Sequence, residues 1–111
     1  MMRRLTRCLD LEGEERAADG AGGYASRWHR LGRVWAEVKP GAGREAGAEF
    51  LTIATVPYRV TVRAAPPGDP RRPLAGQRFR AGSRALRILA VAEADRAGLY
   101  LTCHCHEEVP S

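Results

Sequence analysis

Polar and apolar positions alternate most regularly over "YRVTVR", Tyr58 to Arg63. Tyr58, Val60 and Val62 fall on one side and Arg59, Thr61 and Arg63 on the other. A period of two is the mark of a strand with one face buried. "RVWAEVKP" repeats it: Val34, Ala36 and Val38 share a face, Trp35 and Glu37 share the opposite one, and Pro40, which lacks a ladder donor, stops the strand. A further strand is predicted over Leu5 to Glu14. The stretch from Gly76 to Glu108 reads as three strands joined by turns at "AGS" and "ADRAG". Ala, Leu and Arg between Ala85 and Ala94 favour a competing helix, but the flanking turns and the apolar run Ile88 to Val91 favour a strand.

The segments between are rich in glycine and proline. "ADGAGGYASRW", Ala18 to Trp28, predicts a tight irregular loop, and "APPGDPRRP" a rigid connection. Gly41 to Thr55 has no clean period and is expected to be a long mobile loop, of a length that in compact domains is usually functional or disordered. About six short strands with turns between them predict an antiparallel barrel or sandwich, and we expect a mostly β, small antiparallel β-barrel.

Composition narrows the picture. The 111 residues fit a single domain spanning the whole chain. Hydrophobic residues at 44% and charged residues at 28% are the balance of a folded chain. The net charge of +5 is almost entirely arginine, since Lys39 is the only lysine. Arginine's planar fork suits phosphate and carboxylate recognition. No apolar run approaches the roughly 20 residues that cross a bilayer, and no apolar stretch follows the basic start, so neither membrane contact nor secretion is expected. Three cysteines without a framework spacing predict reduced thiols in a cytosolic compartment.

One stretch looks like chemistry: "CHCH", Cys103 to His106. On a strand, Leu99, Leu101, Cys103 and Cys105 continue one apolar stripe, while Tyr100, Thr102, His104 and His106 face the other way. Structural zinc needs four ligands converging tetrahedrally. A C-x-C pair and an H-x-H pair that face apart do not converge, and only Cys8 and His29 remain to assist. We therefore expect no metal ligand here, with the cysteines acting as small hydrophobes. "GAGG" lacks the lysine of a phosphate-binding loop. No catalytic residue and no cofactor are predicted.

Taken in order, several stretches resemble the phage head–tail joining family, the head-closure, stopper or head–tail adaptor proteins of tailed phages and gene transfer agents. "DGAGGYASRW" followed by "RVWAEVKPGAGRE" is similar to the family's opening, in which an Asp-x-x-Gly-Gly loop leads to a Trp, a Val-Trp-Ala-x-Val strand and a Gly-x-Glu loop. Those positions are Asp19, Gly22, Gly23 and Trp28, then Val34, Trp35, Ala36 and Val38, then Gly43 and Glu45. "YRVTVR" resembles the central strand. "GQRFRAGSRALRILAVAEAD" resembles a two-strand hairpin, with Arg87, Ile88 and Val91 at its signature. "LYLTCHCHEE" resembles the closing strand, ending on Glu107 and Glu108. The likeness runs from about Leu9 to Glu108, and Pro57 departs from it, standing where a residue able to continue the ladder is expected.

The resemblance implies a structural role without catalysis: a ring beneath the portal that closes the filled head and docks the tail. It also implies a small β-barrel with a long loop between the second and third strands, which in some members reaches the central channel. The partners implied are copies of the same chain, a portal or adaptor protein, a tail-terminator protein, and double-stranded DNA passing non-specifically through the ring. The place implied is the neck of a virion or phage-like particle. A barrel this small is filled by its own side chains, so a conduit must lie between subunits.

On that reading Arg44, Glu45 and Glu49 are candidates to face the channel, and Trp35, Arg59 and Arg63 are candidates for subunit contacts. Trp35 covers either a second packed layer or a neighbour. Trp28 is expected to anchor the glycine loop to the barrel. The competing reading is a free-standing nucleic-acid-binding barrel, for which Phe79, Tyr58 and Tyr100 are the few aromatics on predicted strands available for base stacking.

Overall fold

The computed structural model describes residues 4–41 and 56–108. Six strands build it: β1 Arg7–Ala18, β2 Tyr24–Pro40, β3 Pro57–Arg63, β4 Arg78–Ala81, β5 Arg84–Glu93 and β6 Tyr100–Glu107. All pairs are antiparallel, in the order β1-β2-β3-β6-β5-β4, and a ladder of β1 with β4 closes the sheet on itself. The mostly β, closed antiparallel fold read from the sequence is the fold observed.

Alternation decides which side chains point inward. Leu9 and Leu11 of β1, Val60 and Val62 of β3, Phe79 of β4, Ile88 of β5, and Leu101, Cys103 and Cys105 of β6 are all buried in one cluster. Phe79 lies opposite Leu11 on one side and Leu86 on the other, so its ring sits where the closing strand meets both neighbours. Where a helix over Ala85 to Ala94 competed, the chain is strand as far as Glu93: inward Leu86 and Ile88 gain core contacts that only a period of two provides.

The structure departs from expectation in three places. The glycine loop is shorter than Ala18 to Trp28. Only residues 19–23 turn, and Tyr24 already pairs with Ala18, so Trp28 lies on a strand. Leu99 precedes β6 and is exposed rather than part of the inner stripe. Thr61, on the outward side of β3, is nonetheless 5% exposed, covered from β2 and β6 in a shallow depression with Glu37 and Thr102.

Pro57 opens β3, the one strand position where a missing donor costs little, and its carbonyl accepts a 2.8 Å hydrogen bond from Gly41 N. The turn between β4 and β5 is two residues, Gly82 and Ser83. Gly82 has φ +62°, the left-handed value that the first position of a tight hairpin turn requires.

The connection from β3 to β4 joins strands that are not neighbours, so it passes over one end of the barrel. Buried Pro73 and the 2.7 Å bond from Arg72 Nη1 to the Ala65 carbonyl hold it there. It crosses β2 closely at Gly32, where a Cβ would come within 2.6 Å of Arg71 Cγ.

Candidate functional site

The barrel uses only part of its longest hairpin. β1 pairs with β4 through Asp10, Leu11 and Glu12, and β2 pairs with β3 only from Ala36 onward. Beyond these, Glu14 to Ala18 and Tyr24 to Trp28 pair with each other alone. The result is a two-stranded arm about 17 Å long at ~3.4 Å per residue. All but Trp28 of these arm residues are exposed. An isolated hairpin of this kind is marginal in water.

Two local devices shape the arm. At its tip, Asp19 Oδ1 accepts hydrogen bonds from Ala21 N at 2.8 Å and Gly23 N at 3.0 Å, while Asp19 N donates to the Gly23 carbonyl. Gly22, at φ +86°, makes the reversal possible. Those two backbone donors hold the Asp19 carboxyl below its usual range. Asp19, Gly22 and Gly23 are thus brought together in one turn, and Trp28 is not part of it.

Trp28 sits instead at the arm's root, on the outer face. Arg78 lies over its ring at 4.1 Å and Arg87 at 4.9 Å. Arg78 also donates from Nε to Glu12 Oε1 at 2.7 Å, and both side chains of this pair are largely buried. One carboxylate and one indole ring hold two guanidiniums, and the four groups fasten the arm to β4 and β5. Tryptophan is the best aromatic partner for a cation.

A second feature lies along β2 and the end of β3. Trp35 is 59% exposed and stands in a cleft with Arg33, Arg63 and Arg71, floored by Val34, Ala64 and Ala65. Arg63 also lies 5.5 Å from the Tyr100 ring centroid, and Arg33 and Arg71 each approach a carboxylate, Asp10 and Asp69 respectively, at 3.5 Å. Arg59 is separate, on the outer face of β3 beside Lys39, His104 and Thr61. Of the residues singled out for subunit contacts, Trp35 and Arg63 therefore share a site and Arg59 does not. Arg44, Glu45 and Glu49, with Gly43, lie outside the described residues.

At the opposite end of the barrel, Arg84 bonds Glu107 through Nε at 2.9 Å and Nη2 at 3.2 Å, with the Tyr58 ring 5.4 Å away. The paired bonds hold the Glu107 carboxyl below its usual range and raise the guanidinium of Arg84. The CHCH stretch is strand. Cys103 and Cys105 are buried, His104 is exposed on the other face, and burial pushes the Cys103 thiol up to about 12 and Cys105 higher still. Thiols so held are protonated and poor ligands. Among the described residues no three His, Cys, Asp or Glu side chains gather into a metal site.

The model of the phage head completion protein family matches residues 2–108. The chain belongs to that family. A chain from the virion of a native gene transfer agent particle is 55% identical, with a TM-score of 0.82, over 99% of this chain and all of that one. A protein of Shigella flexneri 2a, 23% identical with a TM-score of 0.66 over 97% of this chain and 96% of that one, shares the fold. No curated protein matches.

The root of the arm and the Arg84–Glu107 pair were not found by sequence reasoning. Glu12 and Arg78 are 66 positions apart, and only the closing ladder brings them together. A single hint existed: Arg78 and Arg87 face outward symmetrically about the Gly82 turn, as cross-strand partners must.

Proposed function

We propose that the chain is a structural head–tail connector subunit of a tailed phage or gene transfer agent particle. Copies of it form a ring at the particle neck that closes the filled head and offers the tail a docking surface. Its neighbours are a portal or adaptor protein on one side and a tail-terminator protein on the other, and duplex DNA passes non-specifically through the ring. It folds in the bacterial cytoplasm and ends in the particle. The observation that carries this reading is the 55% identity, end to end, with a chain of a gene transfer agent virion.

The physical features agree with it. The interior is filled by Phe79, Ile88 and their neighbours, so DNA can pass only between subunits. Outside the Trp35 cleft, exposed arginines are spread over several strands, with Arg16 on β1, Arg30 on β2, Arg59 on β3 and Arg80 on β4, and phosphate affinity steep enough to stall DNA requires many simultaneous contacts. The arm and the Trp35 cleft are surfaces that a solitary barrel does not need.

Deleting the gene tests the proposal. Producing cells should accumulate DNA-filled heads without tails, and expression of the chain in trans should restore tailed particles. Normal tailed particles in its absence would refute it. The rival reading, a free-standing nucleic-acid-binding barrel, gains support if the isolated subunit binds duplex DNA in a salt-sensitive manner at physiological ionic strength.

A further inference from the structure

The arm and the Trp35 cleft are complementary in charge and in kind. From Glu14 to Trp28 the arm carries Glu14, Glu15 and Asp19 against Arg16 and Arg27, a net of −1, and its exposed large hydrophobic side chain is Tyr24, at 73%. The cleft carries three arginines around an indole and measures about 300 Å³. That is the small end of ligand sites, suited to an aromatic side chain or a turn. An arm cannot fill the cleft of its own barrel. Tyr24 and Trp35 lie on the same strand eleven positions apart, about 36 Å of extended chain at ~3.3 Å per residue.

We propose that the arm of each copy docks in the cleft of the next, with Tyr24 against Trp35 and the arm's carboxylates facing Arg33, Arg63 and Arg71. This rests on the ring reading above and supplies its subunit contact. Two different patches on one chain make a heterologous interface, the kind that closes into rings. Aromatic anchors flanked by arginine are the composition of interface hot spots. A hairpin without a layer beneath it gains that layer from the neighbour.

Cysteine pairing tests this in assembled particles. In a Cys8→Ser background, since Cys8 is exposed and pairs across the ladder with Trp35, cells co-express one copy with Tyr24→Cys and another with Trp35→Cys. Mild oxidation should link the two variants into dimers on a non-reducing gel, and neither variant alone should give them. Necks imaged as rings without that cross-link would overturn the docking while leaving the ring intact, whereas necks without rings would overturn both.

A second measurement covers the case in which cysteine variants do not assemble. Tyr24→Ala should weaken self-association of the purified chain at least tenfold by sedimentation, with an unchanged melting temperature. Arg63→Glu should do the same, and Glu15→Arg should partly rescue it. Unchanged association in both single variants would sink the proposal.

Discussion

Replacing Glu12 by Gln removes one charge from the root of the arm and leaves its shape nearly intact. Glu12 accepts the 2.7 Å bond from Arg78, and the two side chains are only 13% and 14% exposed. Charge-assisted hydrogen bonds contribute about 1.5–3 kcal/mol net, and stripping one partner from a deeply buried pair costs about 3–5 kcal/mol. The slight exposure and the surviving contact of Arg78 with Trp28 place Glu12→Gln near the lower figures, at about 2–3 kcal/mol. For a chain of this size, roughly 4 °C is lost per kcal/mol, so the melting temperature should fall by roughly 8–12 °C. Thermal unfolding at neutral pH, followed by circular dichroism, reads this directly. A double-mutant cycle with Arg78→Gln should return a coupling of about 1.5–2.5 kcal/mol. As a control, Asp10→Asn, which loosens the exposed contact to Arg33, should cost no more than about 0.5 kcal/mol. Hydrogen exchange supplies the spatial test: amides of Glu14 to Ala18 and Tyr24 to Trp28 should exchange faster in Glu12→Gln. A coupling below about 0.5 kcal/mol, or an arm with unchanged exchange, would refute the claim that this cluster fastens the arm.

Three further outcomes follow from other parts of the fold. The Glu107 carboxyl is depressed by Arg84, so its stabilisation is present above the ordinary carboxylate value of 4.5 and is lost as pH falls through its lowered one. Wild type should therefore exceed Glu107→Gln in stability at pH 7, and the gap should close in acid; a gap independent of pH would contradict the pairing. In the native protein a thiol reagent should modify Cys8 quickly, and Cys103 and Cys105 only after unfolding, since burial keeps the latter pair protonated. Rapid labelling of all three, or stoichiometric zinc retained by untagged protein, would overturn the assignment of CHCH to the core stripe. Gly82→Ala should cost about 1–2 kcal/mol in denaturant unfolding because of the positive φ, and an unaffected midpoint would show that the turn tolerates a side chain.

How far the sequence revealed all this depends on where burial enforces a pattern. On β3 and β6 the inward residues Val60, Val62, Leu101, Cys103 and Cys105 are all sealed in the core, and the apolar alternation there is strict. The arm has no such enforcement. Glu14 to Ala18 and Tyr24 to Arg27 bury nothing in the barrel, so no period distinguishes them from loop, and the glycines at the tip made the loop look longer than it is.

Contacts between strands distant in sequence were equally hidden. The closing ladder of β1 with β4 is short, and the clustering of Trp28, Arg78, Arg87 and Glu12 is a product of that closure rather than of any local motif. Trp35 could be placed on the outer face by alternation, but of its arginine neighbours Arg63 arrives from β3 and Arg71 from the connection after it, which is held against the barrel at buried Pro73. The family resemblance was legible because its motifs sit where geometry is demanding: the Asp19 turn, the β2 strand and the β4–β5 hairpin.

The most direct test of the central claim is high-resolution imaging of the neck of intact particles produced with this chain. The account predicts a closed ring of these barrels between portal and tail, each arm reaching the adjacent copy and DNA running through the middle. Purified particles that lack the chain, or that hold it as a lone copy away from the DNA path, would contradict it.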